Sequence, residues 1–228
     1  VLILKYLSEE LKSCRTMACE RRAHHLGEAF RIDAKAEGDC VAIGGWRTLD
    51  STKASEAAWF SVTLTRATAP WAFARGEPFR TIASLELLGT LVGLMTLVPE
   101  TAARGETAAT LTLTSGTDNQ GNSFLLDRMM TTKYPLVVIL MELAHQMRRR
   151  RLVLRARWLP RLENEEADAL TNLDFRHFGA AKRVEVDLKD LKFGLLPVLF
   201  EFGESYDEEL QSVRKAERER SSAAAVQG

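Results

Sequence analysis

The stretch from Thr81 to Val98 constrains the fold of this chain most, because it is apolar on nearly every side of a helix. Leu85, Leu88 and Val92 recur at helical spacing, and further leucines cover the adjacent face. A helix of this kind is buried on most sides. One carboxylate, Glu86, lies in its first turns, and a buried carboxylate without a partner is energetically costly. The sequence therefore predicts that Glu86 is neutral, paired or bound to a cation.

Composition is typical of a soluble globular protein, since the 228 residues are 46% hydrophobic and 27% charged. Lysine plus arginine (31) equals aspartate plus glutamate (31), which argues against a generic polyanion binder. No uninterrupted apolar run reaches the roughly 20 residues of a membrane span, so we expect no membrane partner. Three unpatterned cysteines favour a reducing compartment, cytoplasmic or nuclear. The first residue is Val, which indicates a segment cut from a longer polypeptide.

The apolar patterns alternate between strand and helix signals along the chain. Strands are predicted as a pair over Glu28–Trp46 around a turn at 37–39, and at Ala57–Leu64, Ala108–Thr114 and Leu152–Trp158. A long loop is predicted over Thr65–Arg80, and helices over Thr81–Val98, Ser123–Met130, Pro135–Met147 and Asn164–Leu173, the last with Asn164 as N-cap. We expect a lead-in segment over 1–27, an α/β domain over 28–178, and a C-terminal extension over 179–228 with a disordered end.

Four acids are placed where such a fold would bring them together. Asp33 and Asp118 are predicted at strand ends, and Glu86 and Asp168 in the early turns of helices. Strand ends and helix starts meet along one edge of an α/β sheet, where four carboxylates would repel one another unless cations neutralise them. Two Mg²⁺ ions about 4 Å apart suit such a set and phosphoryl transfer, and Mn²⁺ is an expected substitute. Taken singly, the three aspartates also have ordinary explanations in turns or on a solvated helix.

Each of the four acids lies within a short sequence motif. The stretches are FRIDA at Phe30–Ala34, LELL at Leu85–Leu88, TDNQ at Thr117–Gln120 and ENEEADAL at Glu163–Leu170. In this order they resemble the Asp-Glu-Asp-Asp motifs of the ribonuclease H family. The lead-in WLPRLEN at 158–164 is similar to that of retroelement reverse-transcriptase polyproteins, especially tyrosine-recombinase (DIRS-like) elements.

This resemblance covers about Phe30 to Leu173 and implies a ribonuclease H-like fold, a mixed five-stranded sheet with helices on both faces. It implies that Asp33 bridges two metal ions and that Glu86, Asp118 and Asp168 complete their coordination. The implied reaction is hydrolysis of the RNA strand of an RNA–DNA hybrid during reverse transcription, leaving a 5′-phosphate and a 3′-hydroxyl. The implied partner is a fused or neighbouring reverse transcriptase.

Candidate nucleic-acid contacts lie next to these acids. Choosing RNA requires reading 2′-hydroxyls with backbone groups and short polar side chains. By the resemblance Gln120 contacts the hybrid, and we include its neighbours Asn119 and Asn122. The span Arg148–Arg161 holds seven arginines in fourteen residues. We expect Arg157 and Arg161 to bind phosphates and Trp158 to stack, whereas Arg148–Arg151 fit a solvated helix end equally well.

The chain departs from the family pattern at two places. Ile82 stands where many members carry an amide, and the loop before Asp168 lacks the usual histidine. Arg157, Trp158 and Arg161 occupy that neighbourhood, and His177 is a candidate substitute for the histidine. These departures concern the catalytic rate more than the class of reaction.

Other functions remain open at this point. A catalytically inactive ribonuclease H-like binding or spacer module is one alternative, although all four acids are present. A DNA-cleaving nuclease or transposase on the same fold is a second, and a plain interaction module a third. Cys14, Cys19, His24 and His25 could form a small zinc site, but their spacing matches no common zinc finger and surface thiols explain them as well.

Overall fold

The computed structural model describes residues 23–38, 40–49, 53–73, 78–100, 110–198 and 200, together with the single residues 8, 12 and 212. The predicted N-terminal helix, the two cysteines of the zinc alternative and most of the predicted disordered end lie outside the described residues. The strands are β1 (Ala23–Glu37), β2 (Cys40–Arg47), β3 (Trp59–Leu64), β4 (Thr110–Thr117) and β5 (Leu152–Trp158). The helices are α1 (Pro70–Phe73), α2 (Ile82–Thr96), α3 (Gln120–Arg128), α4 (Leu136–Arg149) and α5 (Glu165–Thr171). Short 3-10 turns are Ala54–Glu56, Pro78–Thr81, Arg161–Glu163 and Ala180–Lys182.

The five strands form one mixed sheet in the order β3-β2-β1-β4-β5. The first three strands are antiparallel neighbours joined by short connections, whereas β1, β4 and β5 run parallel. The chain passes from the edge strand β3 to β4, the parallel neighbour of β1, through α2. The parallel neighbours β4 and β5 are joined by the crossover connection through α3 and α4. The predicted mixed five-stranded sheet is confirmed.

Helices cover both faces of this sheet. Phe30 and Ile32 of β1 belong to the main core with the leucines of α2 and α4. A second cluster on the other face joins Trp46 and Trp59 of the sheet to Leu170 of α5. The predicted α/β arrangement, a mixed five-stranded sheet with helices on both faces, is therefore confirmed.

Helix α2 is the buried helix that its composition predicts. Leu85, Leu87, Leu91 and Leu94 are fully buried. By length and composition the span Pro78–Thr96 is apolar enough to cross a membrane, but 67% of it is buried inside the fold, as in the core helix of a globular protein. A Cβ at Gly93 would lie 2.9 Å from the Phe30 ring, so this glycine permits the close approach of α2 to β1.

The C-terminal end of α2 is capped by a buried arginine. Nη1 of Arg150 donates to the carbonyl oxygens of Leu94 (2.8 Å) and Val98 (3.0 Å), and Nη2 donates to that of Met95 (3.4 Å). The last carbonyls of a helix lack partners within it, and a cation is favoured there. Arg150 is thus neither the phosphate contact nor the solvated residue that the arginine run predicted.

The segment after α5 packs on the domain. Arg183 pairs with Trp59 at the sheet edge, and Leu196 is buried in the main core. The carboxylate of Glu142 in α4 accepts hydrogen bonds from three consecutive backbone N–H groups of this segment, those of residues 194–196. The prediction that residues after 184 pack on another part of the protein is confirmed.

Four local predictions were wrong. Strand β1 begins at Ala23, inside the predicted lead-in segment, and it continues past Asp33, which lies within the strand rather than at its end. The predicted loop over Thr65–Arg80 contains α1 and most of a 3-10 turn. Asn164 occupies the N-cap position of α5, but its side chain does not cap that helix and instead donates to the carbonyl of Ile32 at 2.9 Å.

Replacing Arg150 by Met is expected to destabilise the protein by about 3 kcal/mol, because several buried carbonyls lose charged donors. Urea unfolding measures the loss. Arg149→Met is the matched control, since Arg149 is nearly half exposed and its contact with Glu100 is a surface ion pair. Equal effects of the two substitutions would contradict the capping role of Arg150.

Candidate metal centre

The register of two parallel strands brings Asp33 and Asp118 together. Strand β4 ends at Thr117, whereas its neighbour β1 continues to Glu37. The pairing of Arg31 with Gly116 places Asp33 level with Asp118, just beyond the end of β4. Asp33 therefore lies inside a strand and still borders the open edge of the sheet, where the predicted site was expected.

Helix α2 adds a third carboxylate to this edge. Carboxylate oxygens of Asp33, Glu86 and Asp118 all lie within 4.8 Å of one another. The exposed fractions of Asp33 and Glu86 are 5% and 3%, and Asp118 is half-buried. We call these three residues the acidic triad.

Two hydroxyl groups orient the triad. Thr171 Oγ1 donates to Asp33 Oδ2 at 2.7 Å, and Thr117 Oγ1 donates to Glu86 Oε2 at 3.3 Å. The approach of α5 to the sheet depends on Gly44, the β2 partner of Asp33, where a Cβ would lie 2.7 Å from a side-chain atom of Leu170. Neither threonine was predicted as a site residue, although Thr117 directly precedes Asp118 and Thr171 follows Asp168 by three residues.

Burial and mutual repulsion shift the triad towards its protonated forms. Loss of solvation raises the pKa of Asp33 to about 7, and the charges of Asp118 and Asp168 add to this, against the Thr171 hydrogen bond. The pKa of Glu86 is raised well above its usual value, first by burial and then by Asp33 and Asp118. Burial also raises the pKa of Asp118. A cation among these carboxylates would offset all three penalties.

Asp168 lines the same cleft but has protein partners on both oxygens. Arg161 Nη2 donates to Oδ1 at 2.8 Å, and Asn172 Nδ2 donates to Oδ2 at 2.8 Å. Lys35, two residues beyond Asp33 on the same strand face, donates to Oδ1 of Asn172 at 2.7 Å. Lys35 and Asn172 were not predicted as site residues, although Lys35 lies two residues after Asp33 on a strand and Asn172 four residues after Asp168 at the end of a helix, spacings that place side chains on one face.

The predicted nucleic-acid contacts divide into accessible and inaccessible ones. Gln120 is exposed at the start of α3, and Asn119 caps that helix through its side-chain oxygen. Asn122 is only 2% exposed and donates to the carbonyl of Ala83, so its amide holds α3 to α2 and is not accessible to a ligand.

Two further predicted contacts lie at the end of β5, outside the residues that line the cleft. Trp158 is 48% exposed, and its Nε1 donates to the backbone oxygen of Asp118 at 3.0 Å. Arg157 is exposed and pairs with Glu28 at 2.6 Å. His177 is exposed and is not among the residues that line the cleft.

The donor set of the acidic triad fits a divalent cation. It offers hard carboxylate oxygens, which Mg²⁺, Mn²⁺ and Ca²⁺ prefer, and no sulfur or imidazole. The cleft is open to solvent on one side, which leaves room for water and a phosphate group. The triad could therefore bind a divalent metal ion.

Comparisons with known proteins locate similar structures but no similar sequences. No protein-family model matches the chain, and no curated protein matches it. The RNase H1 of the halophilic archaeon Halobacterium salinarum NRC-1 is similar, with a TM-score of 0.41, 16% identity, and coverage of 68% of this chain and 98% of that chain. The N-terminal RNase H domain of a Mycobacterium tuberculosis protein, solved as a fusion with maltose binding protein, has a TM-score of 0.37, 17% identity, and coverage of 65% and 93%. LC11-RNase H1, isolated from compost by a metagenomic approach, has a TM-score of 0.33, 19% identity, and coverage of 64% and 92%.

The raised pKa of Asp33 makes metal-free stability depend on pH. Because the folded state keeps a proton that the unfolded state releases between pH 3.8 and about 7, this contribution to stability is lost as pH rises through that window. Asp33→Asn removes the charge, so the variant is expected to melt at a higher temperature than the metal-free wild type at pH 8. At pH 4 this difference should largely disappear.

Divalent ions should reverse the order of the two proteins. Thermal unfolding at pH 8 with added Mg²⁺ or Mn²⁺ is expected to stabilise the wild type and to leave Asp33→Asn nearly unchanged. Asp174→Asn is the control. Because Arg176 holds the pKa of the Asp174 carboxyl at about 2, this charge stabilises the folded protein, and its removal should lower the melting temperature at pH 8 where Asp33→Asn raises it. A wild type that gains nothing from either ion contradicts the metal centre.

Proposed function

We propose that this chain is a divalent-metal-dependent endonuclease that cleaves the RNA strand of RNA–DNA hybrids. The observation that carries the proposal is the acidic triad, whose three carboxylates lie within 4.8 Å at the open edge of the sheet. Such a concentration of buried negative charge destabilises a protein unless a ligand neutralises it. Its persistence here is best explained by a function that needs the charge.

Mg²⁺ is the proposed ion, with Mn²⁺ as a substitute. When bound, such ions neutralise the charge of a phosphodiester and lower the pKa of water. The chain's own contribution is to hold the ligands: Thr171 orients Asp33, and Thr117 orients Glu86. Asp168 lines the same cleft and completes the proposed catalytic set.

The rim of the cleft supports a nucleic-acid substrate. Arg161 lines the cleft and supplies positive charge beside Asp168, and exposed Arg157 at the end of β5 pairs with Glu28. The half-exposed indole of Trp158 offers a flat apolar face. Gln120 and Asn119 present polar groups at the start of α3, suited to reading 2′-hydroxyls or the sugar backbone. We propose these five residues as the contacts to the hybrid.

We further propose that the chain acts in reverse transcription of a retroelement, inside the cell, with a fused or neighbouring polymerase. This rests on the resemblance of the motifs around Asp118 and Asp168 to those of retroelement polyproteins. The equal numbers of basic and acidic residues support it, since such a domain would bind a hybrid weakly alone and depend on a partner for affinity.

The first test is cleavage of a labelled RNA–DNA hybrid by the purified chain with Mg²⁺ or Mn²⁺. We expect the RNA strand alone to be cut, and Asp118→Asn to lower the rate roughly a thousandfold or more, because the ion's contribution amounts to several kcal/mol. Arg176→Gln, an exposed change outside the cleft, is the control for handling and folding.

Each alternative function predicts a different result in this assay. Cleavage of duplex DNA at a similar rate favours a DNA nuclease on the same fold. An intact hybrid, also with the upstream polymerase supplied, favours an inactive binding or spacer module and contradicts the proposed activity.

Trp158 is expected to contribute to binding through stacking, which is worth about 1–3 kcal/mol per base. Trp158→Ala should therefore weaken hybrid binding about fivefold to a hundredfold, whereas Trp158→Phe, which keeps a ring but loses the indole N–H, should lose less. Fluorescence anisotropy in the Asp118→Asn background measures affinity without cleavage. Equal losses in the two variants would indicate that the hydrogen bond to Asp118, and not stacking, is what matters.

A further inference from the structure

We propose that Arg161 is a resident cation of the cleft, which neutralises Asp168 in place of a second divalent ion. In the free protein the acidic triad then binds one ion, and Asp168 binds none until Arg161 is removed from it. This inference rests on the proposed function and deepens it, because it assigns which carboxylate each cation serves.

The hydrogen bonds of the four acids separate them into two groups. Each oxygen of Asp168 accepts a hydrogen bond from a protein donor at 2.8 Å, one from Arg161 and one from Asn172. Asp33 and Glu86 are nearly inaccessible to solvent, yet their donors are neutral: the hydroxyl of Thr171 for Asp33, and the hydroxyl of Thr117 and the backbone of Ala34 for Glu86. Among the described residues no cationic side chain donates a hydrogen bond to either acid. The charge of Arg161 also acts on Asp33 and Asp118, but the guanidinium donates its hydrogen bond to Asp168.

Arg161 is held at Asp168 by the loop that carries it. The loop starts at Leu159, whose N–H donates to the carbonyl of Thr117 at 2.9 Å. It ends at Glu163, whose carbonyl accepts from Arg31 Nη1 at 2.6 Å. Arg31 is itself fixed by an ion pair with Glu28 at 2.6 Å. Both ends of this short turn are therefore tied to the sheet, which keeps Arg161 at the cleft that it lines.

Arg161 and a second divalent ion cannot both bind Asp168, because their charges repel each other. A divalent cation bound to Asp168 would lie a few ångströms from the guanidinium, where like charges repel strongly in a partly buried cleft. It would also have to take at least one oxygen from a protein donor. The Arg161 side chain is 76% exposed and makes a single contact with the carboxylate, so the pair can be broken by substitution without disturbing the core.

The experiment counts bound Mn²⁺ by electron paramagnetic resonance during a titration of the full chain, without nucleic acid. We expect one ion in the wild type and two in Arg161→Gln, with the affinity of the second ion raised about tenfold or more. Arg161→Gln combined with Asp168→Asn should bind one ion again. Arg176→Gln, which removes a similar exposed ion pair with Asp174, should bind one ion like the wild type.

The possible results separate this inference from the proposed function. Two ions in the wild type, or one ion in Arg161→Gln, would overturn the role of Arg161 and leave the proposed nuclease intact. No bound ion in any variant overturns the inference and the metal centre together. One ion in the wild type and two in Arg161→Gln, with a hybrid that stays uncut, supports the inference and contradicts the nuclease. Urea unfolding of each variant establishes that the count refers to folded protein.

Discussion

The close packing of helix α2 against β1 determines both the core and the site of this protein. Its leucines require burial, and Gly93 allows the helix to approach Phe30 closely enough to achieve it. The same approach places Glu86 beside Asp33, with both carboxylates removed from solvent. Burial of apolar surface by α2 is favourable enough to hold two like charges together that would otherwise separate. The hydrophobic core and the acidic triad are thus two consequences of one helix–strand contact.

Charge in the cleft is distributed unevenly, and the pattern follows the distance from the core. Glu86 and Asp33 lie deepest, and their pKa values rise because burial removes water and the neighbouring carboxylates repel, which the charge of Arg161 offsets only in part at Asp33. Asp168 lies on the solvent side, within reach of Arg161, whose pKa is raised in turn by that carboxylate. A small ion that enters the cleft would therefore neutralise the inner acids, Asp33 and Glu86. The outer acid, Asp168, is neutralised by the side chain of Arg161, which reaches it from the rim.

Much of the fold could be predicted because its signals are local. The bounds of β5 match the alternating pattern of Leu152–Trp158, and the buried character of α2 follows from its composition. The convergence of Asp33, Glu86 and Asp118 was likewise predictable, since strand ends and helix starts share an edge of the sheet. Local signals were insufficient where long-range contacts decide: Asp33 borders the site through its register with β4, and Arg150 is buried because it caps a helix more than fifty residues earlier in the chain. The side chain of Asn122, predicted to meet nucleic acid, is likewise engaged by a distant carbonyl.

The segment after α5 packs on α4, and α4 packs on α2, the helix that carries Glu86. Three backbone N–H groups of residues 194–196 donate to the carboxylate of Glu142, and Gln146 donates to it as well, so this buried carboxylate on α4 has four donors. Without this segment Glu142 would be left without most of its donors on the surface of α4 that Leu196 helps to bury. Helix α4 packs in turn against α2 within the main core. The segment that the sequence indicated as an extension therefore stabilises the helix that carries Glu86, although it lies on the side of α4 and not at the cleft.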